Sequence, residues 1–278
     1  MKIALVACSN AQKKVHTDEI ERLKQYLGFE GIQTVESKYL YAKEGISGGT
    51  PKERAGELMM FYIDASIEAI YDVSGGDIAN EILDYLDYDV IGRTPKMFWG
   101  YSDLTTVINA IYAKTERSSV LYQVKNLVWK SAEMQRKLFH DSVINKGKSL
   151  YAIDYEFLHG SEMAGIVVGG NLRCLLKLMG TMYWPPMGDH LLLLESYGGE
   201  EGQLRTYFAQ LAQIGVFKRI GGLILGTFTQ YEKNPKNPPV YDLIKNYLPQ
   251  TLPVVKTGDI GHGDDSKAIV IGEYARFI

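Results

Sequence analysis

The sequence has few cysteines, little excess charge and no long hydrophobic run. Its two cysteines, Cys8 and Cys174, are too few for a disulfide framework, so we expect reduced thiols. A net charge of −3 provides no electrostatic attraction to nucleic acid or to an anionic membrane, and we expect neither partner. The apolar runs fall short of the roughly 20 residues that cross a bilayer. Residues 3–8 lack the cleavage site of a secretory signal, so we predict a cytoplasmic protein.

The first half of the 278-residue chain alternates short apolar runs with helical patterns. Residues 3–7, 69–73 and 97–99 are typical of β-strands. Thr50 to Glu53 is typical of a helix start, with a threonine N-cap and a proline in the first turn. Repeated β-α units predict a parallel sheet covered on both faces, with function at the loops beyond the carboxyl ends of its strands.

The second half of the chain has a different pattern. Residues 120–162 are polar and weakly periodic, and we interpret them as a crossover between domains. Strand-like runs dominate from residue 165 onward, with one clear helix at 202–214. We therefore predict an α/β protein that consists of a parallel-sheet N-terminal domain, a linker and a strand-rich, barrel-like C-terminal domain, at residues 1–140, 141–164 and 165–278 respectively.

Ser102 lies where the strand that contains Trp99 meets a helix beginning at Asp103 or Leu104. A tight turn there would present the serine hydroxyl and direct the N–H of Asp103 toward a developing acyl oxyanion. Its position alone favours a helix N-cap instead. The G-x-S-x-G signature of a nucleophile elbow is also incomplete, because Leu104 replaces its second glycine.

Gly75 and Gly76 follow the preceding strand and are expected beside Ser102 in a parallel sheet. Paired glycines allow close backbone approach, so one of their N–H groups is a candidate second oxyanion donor. The alternatives are a phosphate-binding loop and an ordinary turn. The Lys-Ser/Thr of a P-loop is absent, and residue type alone favours the ordinary turn.

His262 is flanked by glycines in a loop, which makes it a candidate general base rather than a core residue. A metal ligand, beside Asp259, Asp264 and Asp265, and an uninvolved loop residue are the alternatives. Neither HExxH nor CxxC spacing accompanies His262, so we predict no metal and no other cofactor.

Glu195 follows four leucines, Leu191 to Leu194, which indicate a buried strand. A carboxylate at the end of such a strand could orient a histidine tautomer. The alternative is that Glu195 only marks the exit of the strand into solvent. Glu200 and Glu201 are nearby substitutes for the orienting role.

Together these segments resemble the LD-carboxypeptidase family, the serine peptidases that include muramoyltetrapeptide carboxypeptidase and the microcin C self-immunity hydrolases. The resemblance covers nearly the whole chain and is carried by residues 47–55, 74–76, 85–89, 95–103, 169–172, 180–181, 192–195, 221–226 and 261–263. It implies that Ser102 is the nucleophile, His262 the base and Glu195 its orienting acid. It further implies an oxyanion hole formed by backbone amides of Asp103 and of Gly75 or Gly76.

The resemblance also implies a site between the two domains and a carboxypeptidase that releases a C-terminal D-amino acid from murein tetrapeptide in peptidoglycan recycling. The partner would be a small peptide or muropeptide, and family members are often homodimers. We expect Asn171, Arg173 and Trp99 to contact the substrate. The alternatives are a microcin C-type peptide-nucleotide hydrolase, with an aromatic platform for a base, and a non-catalytic muropeptide-binding protein. The last would hold Ser102, His262 and Glu195 apart.

Overall fold

A computed structural model describes residues 1–43 and 45–278, and this part of the chain forms twelve strands and nine α-helices. The strands are β1 (Lys2–Val6), β2 (Gln33–Glu36), β3 (Ala69–Asp72), β4 (Met97–Gly100), β5 (Ser119–Leu121), β6 (Glu156–His159), β7 (Met163–Asn171), β8 (Leu191–Ser196), β9 (Gly222–Phe228), β10 (Val254–Lys256), β11 (Ile269–Ile271) and β12 (Tyr274–Phe277). The α-helices are α1 (Thr17–Phe29), α2 (Pro51–Ile63), α3 (Tyr88–Arg93), α4 (Thr105–Thr115), α5 (Ala132–Phe139), α6 (Leu172–Leu176), α7 (Glu201–Gln213), α8 (Thr229–Glu232) and α9 (Val240–Ile244).

The strands form two six-stranded sheets. The first has the order β11-β5-β4-β3-β1-β2, and all its pairs are parallel except β11 with β5. The second has the order β12-β7-β8-β9-β10-β6, with a parallel centre and an antiparallel strand at each edge, and it curls into a half-barrel. The predicted α/β class, with a barrel-like second half, is confirmed.

Local sequence signals account for several of these elements. Thr50 caps α2 through a capping box with Glu53, and Pro51 occupies its first turn, as predicted. Every residue of β8 is buried, which explains why the strand consists of consecutive leucines rather than alternating polar and apolar residues. In α1 the buried positions follow helical spacing and contact the first sheet.

Two features depart from the sequence interpretation. The polar stretch 120–162 contains β5, α5 and β6, and β6 lies within the predicted linker yet pairs with β10. Near the C-terminus, β11 returns to the first sheet and pairs antiparallel with β5. No helix among the described residues is long and apolar enough to cross a membrane.

The parallel strands bring two sets of loops together. The first set follows β1, β3 and β4 in the first sheet, and the second follows β7, β8 and β10 in the half-barrel. Because these loops extend from the carboxyl ends of their strands, they are where a parallel α/β fold concentrates functional residues. The candidate active site lies where the two sets meet.

Candidate active site

Ser102 occupies a sharp turn between β4 and α4. Its backbone has φ 55°, in the left-handed region, and a 3-10 turn, Ser102–Leu104, leads into the helix. That conformation costs an L-residue roughly 1–2 kcal/mol, so the surrounding structure must hold it in place. The N-caps of the 3-10 turn and of α4 are Tyr101 and Leu104, and the Ser102 side chain caps neither. The helix-cap alternative for Ser102 is therefore wrong.

Gly100 allows this turn to be tight. A Cβ added at Gly100 would lie 2.7 Å from Leu104 Cβ, closer than carbon atoms approach. The chain can therefore reverse direction directly after β4 and present the Ser102 side chain at the edge of the sheet. Gly100, the first glycine of the signature, is thus required by close packing against Leu104, the residue that stands in place of the second glycine.

Ser102, His262 and Glu195 form a continuous hydrogen-bonded chain. His262 Nε2 lies 3.0 Å from Ser102 Oγ, and His262 Nδ1 lies 2.6 Å from Glu195 Oε2. These distances are within the normal hydrogen-bond range, and no closure of the molecule is needed to connect the three groups. The arrangement contradicts the separation that a non-catalytic binding protein would require.

The hydrogen bonds determine which ring nitrogen of His262 carries the proton. An ionised Glu195 carboxylate can only accept, so His262 Nδ1 must donate to it. In the neutral imidazole this leaves Nε2 as an acceptor, directed at the Ser102 hydroxyl. The Ser102 O–H therefore donates to Nε2, which is the geometry that removes a proton from an attacking serine.

Glu195 is fully buried and positioned by two features of the half-barrel. The pairing of β8 with β9 shifts register between Leu194 and Ser196, and such a bulge redirects the intervening side chain. On its other side, Glu195 is in register with Asn171 of β7, whose Nδ2 donates to Glu195 Oε1 at 3.0 Å. Both carboxylate oxygens therefore have partners, as a buried charge requires.

The loop that carries His262 is attached to the serine turn. The hydroxyl of Tyr101 donates to Gly261 O at 2.7 Å, and the Tyr101 ring lies 4.5 Å from the imidazole. Tyr197 covers another side of His262, with its ring centroid 5.2 Å away. Burial raises the pKa of Tyr101 well above its usual value, so Tyr101 stays a neutral donor.

The Gly75-Gly76 turn lies beside Ser102, as expected. A Cβ built on Gly75 would be 3.8 Å from Ser102 Cβ. The N–H of Asn10 donates to Gly75 O, and the Asn10 side chain accepts from Asp77 N. Gly76 has φ 124°, and a Cβ there would collide with the Asn10 side chain. Gly76 is thus required by the conformation and close packing of this turn, whereas a side chain at Gly75 would only contact Ser102.

A cavity of about 380 Å³ opens next to Ser102 and His262. Among the predicted substrate contacts, Asn171 and Arg173 line it, while Trp99 does not. Trp99 is buried in the core of the first sheet, where it packs against a cluster of aromatic rings. The prediction for Trp99 is therefore wrong, because its side chain is enclosed in this core and does not reach the cavity. The lining residues are Gly76, Asp77, Ser102, Asn171, Arg173, Ser196, Tyr197, Gly198, Gly199, Gln203, Tyr207 and His262.

The alternative assignments in the loops have other structural explanations. Asp259 accepts from Lys267 Nζ and from the N–H of Asp154. Glu201 pairs with Arg205 on α7, and Glu200 is the exposed residue before that helix. Across residues 1–43 and 45–278, no group of three or more His, Cys, Asp and Glu side chains is arranged to hold a metal ion.

Sequence reasoning missed three side chains at this site. Tyr197 is not among the predicted site residues, although it contacts His262. Asp77 and Lys177 were not identified, yet Asp77 lines the cavity and Lys177 contacts the loops on both sides of Ser102. The available signal was the four-residue spacing of Arg173 and Lys177, which places both cations on one face of a helix. That spacing does not indicate which partners the two cations contact.

Models of two domains of one protein family match this chain. Residues 3–122 match the model of the LD-carboxypeptidase N-terminal domain, and residues 164–277 match that of the LD-carboxypeptidase C-terminal domain. The microcin C7 self-immunity protein MccF of Escherichia coli is 26% identical, over 89% of this chain and 82% of its own. The murein tetrapeptide carboxypeptidase of Pseudomonas aeruginosa is 23% identical, over 99% of this chain and 92% of its own.

Solved structures share the fold. MccF superimposes with a TM-score of 0.87 at 22% identity, covering 99% of this chain and 92% of that one. A muramoyltetrapeptide carboxypeptidase from Oxalobacter formigenes gives a TM-score of 0.81 at 18% identity, covering 99% and 94%. With both domain models matched in order along the sequence, this chain belongs to the LD-carboxypeptidase family, peptidase family S66.

Proposed function

We propose that the protein is a serine-type LD-carboxypeptidase that removes the terminal D-alanine from murein tetrapeptide in the cytoplasm. The observation that carries this proposal is the hydrogen-bonded chain from Ser102 through His262 to the buried Glu195. It rests beside a cavity large enough for a short peptide and next to a glycine turn suited to an oxyanion.

In the first half of the reaction, Ser102 Oγ attacks the carbonyl carbon of the L,D-amide bond. The hydroxyl proton passes to His262 Nε2, and Glu195 stabilises the imidazolium through its bond to Nδ1. The carbonyl oxygen becomes an oxyanion, held by backbone N–H groups of Asp103 and of the Gly75-Gly76 turn.

In the second half, the tetrahedral intermediate collapses and the C–N bond breaks. His262 returns its proton to the leaving nitrogen, which departs as the amino group of free D-alanine. Water then attacks the acyl-serine ester while His262 takes one of its protons. The ester bond breaks, Ser102 regains its hydroxyl proton, and the tripeptide leaves with a new carboxylate.

A carboxypeptidase must also recognise the terminal carboxylate of its substrate. Arg173 presents a guanidinium to the cavity, and its side chain is 42% exposed. Its Nη1 donates to Asp77 Oδ1 at 2.6 Å and its Nη2 donates to Gly76 O at 2.9 Å, which together fix the direction of the group. Asn171 is occupied by Glu195 and by capping α6, so we assign carboxylate recognition to Arg173.

The test is incubation of the wild-type protein and of its Ser102→Ala variant with murein tetrapeptide, with released D-alanine quantified. We expect release by the wild type and loss of essentially all of it in the variant, which keeps the fold but lacks the nucleophile. Glu200→Gln, which alters an exposed carboxylate outside the cavity lining, is the matched control and should be fully active. D-Alanine release by Ser102→Ala would overturn the mechanism.

A second candidate is hydrolysis of a peptide-nucleotide conjugate. MccF has been solved in complex with aspartyl sulfamoyl adenosine. Here two aromatic side chains, Tyr197 and Tyr207, line the cavity and offer surfaces on which a base could stack. An aminoacyl sulfamoyl adenosine offered in the same assay distinguishes the two. Cleavage of the conjugate with no D-alanine release from tetrapeptide would favour this second function.

A further inference from the structure

Lys177 bridges the two loops that supply the proposed oxyanion donors. It lies at the end of α6 in the second half of the chain. Its Nζ donates to Asp77 O at 2.8 Å, in the loop that continues from Gly75-Gly76, and to Asp103 Oδ1 at 2.5 Å. Asp103 directly follows Ser102 in sequence and is fully buried. One ammonium group therefore connects the backbone after the glycine turn to the side chain of the residue that follows the nucleophile.

The Asp103 carboxylate extends this bridge. Its second oxygen, Oδ2, accepts from Ser9 Oγ at 2.6 Å and from the N–H of Ala79 at 2.8 Å. Ser9 and Ala79 flank the glycine turn from the loop after β1 and from the segment after Asp77. Both carboxylate oxygens therefore have donors, and within the described part of the chain Lys177 is the one cation that forms an ion pair with Asp103.

The orientation of the turn depends on contacts to its carbonyl groups. A peptide unit is planar, so a donor that holds its C=O also determines the direction of the N–H in the same unit. Gly75 O is held by the N–H of Asn10, Gly76 O by Arg173, and Asp77 O by Lys177. Gly75 O shares its peptide unit with the N–H of Gly76, so Asn10 orients that candidate donor, while Arg173 and Lys177 anchor the two peptide units that follow it.

From this arrangement we propose that Lys177 is a positioning residue that fixes the distance between the two halves of the oxyanion hole. This inference rests on the proposed function of Ser102 as an acylated nucleophile. Lys177 acts by joining the Asp77 carbonyl to the Asp103 side chain, which ties together the two segments that carry the candidate donors, and it does not touch the reacting atoms. Its effect is therefore expected on the transition state and not on substrate binding.

The primary test is Lys177→Met, which removes the ammonium and keeps most of the stem. With murein tetrapeptide we expect kcat to fall about 10- to 100-fold and KM to change little, because misplaced donors weaken oxyanion stabilisation. Lys177→Arg restores a cation and should recover part of the loss. The matched control is Lys96→Met, since Lys96 Nζ also donates to several backbone carbonyls but lies away from the cavity. It should leave kcat unchanged.

A second readout is independent of the natural substrate. A fluorophosphonate probe labels Ser102 through a phosphonyl oxygen that also requires the oxyanion donors, so its labelling rate should fall by a factor similar to that of kcat. If Lys177→Met does not fold, the double variant Asp103→Asn with Lys177→Met removes both charges. It should fold and remain slow, because the bridge between the loops is still missing.

The outcomes separate this inference from the proposed function. Wild-type rates of labelling and turnover in folded Lys177→Met would overturn the positioning role, while the loss of activity in Ser102→Ala would still support the carboxypeptidase. Slow labelling in Lys177→Met, with no D-alanine release by the wild type, would support the positioning role and overturn the substrate assignment. A KM increase with unchanged kcat would also overturn the positioning role. A wild-type protein that the probe does not label would overturn both.

Discussion

Replacing Glu195 with glutamine tests the electrostatic part of the proposed mechanism. The substitution nearly preserves shape but removes the charge that faces His262 Nδ1 at 2.6 Å. Asn171 Nδ2 donates to the other carboxylate oxygen, so the oxygen of the new amide is expected to stay on that side. The NH2 group would then face His262 Nδ1, which can no longer donate. The imidazole must carry its proton on Nε2, and Ser102 loses its proton acceptor.

The size of the effect follows from the charge separation. A hydrogen bond of this length places the centres of the carboxylate and the imidazolium roughly 4 Å apart, where two unit charges attract by about 4 kcal/mol at an effective dielectric constant of 20. Losing that stabilisation in the transition state slows the reaction about 10³-fold. The change of tautomer acts in the same direction, so we treat this as a lower bound.

The assay measures kcat for D-alanine release, with thermal unfolding recorded in parallel. We expect Glu195→Gln to lose about 10³-fold or more in kcat, to keep KM, and to unfold cooperatively near the wild type. Glu200→Gln serves as the control, because that carboxylate is exposed at the start of α7. A folded Glu195→Gln variant with kcat within about tenfold of the wild type would refute the reasoning.

Three further predictions concern stability and substrate binding. Ser102→Gly should be more stable to unfolding than Ser102→Ala by roughly 0.5–1 kcal/mol, because the left-handed strain that glycine relieves at φ 55° exceeds the entropic cost of introducing glycine. Calorimetry should therefore show a higher unfolding temperature for Ser102→Gly, and the reverse order would show that the turn is unstrained. Tyr101→Phe should lower the free energy of unfolding by about 1–3 kcal/mol in a denaturant titration, since it leaves Gly261 O without its buried donor. Arg173→Gln should raise KM for the tetrapeptide about 10- to 100-fold and also lower kcat, because it removes the donor to Gly76 O as well; an unchanged KM in steady-state kinetics would remove Arg173 from carboxylate recognition.

The sequence by itself determined the elements of the fold and the position of Ser102 between them. Alternating apolar runs and helical patterns predicted the parallel first sheet, and Thr50 predicted the start of α2. These signals could be read because they depend on contacts within a few residues along the chain. The sequence correctly predicts Ser102 at a strand-to-helix turn, but this position alone favours a helix N-cap over a nucleophile.

Tertiary structure decided which of the candidate residues meet. His262 lies 160 residues from Ser102 and 67 from Glu195 in the sequence, so no local pattern reports their hydrogen bonds. Glu195 lies at the bulge of β8, which is set by pairing with β9, whereas Glu200 is exposed before α7. In a sheet covered on both faces, the residues of a strand are apolar on both sides, so their pattern does not show which side chains approach the site. For this reason the sequence suggested Trp99 as a substrate contact, although its side chain lies in the core.

The same limit applies to the residues that were missed. Lys177 contacts Asp77 and Asp103, which are 100 and 74 residues away. A lysine after a short helix has many possible partners, and only the packing of the half-barrel against the first sheet determines which carbonyl and carboxylate it reaches. The sequence therefore specifies the chemical groups and the local turns that present them, whereas the distances between those groups depend on how the two sheets pack together.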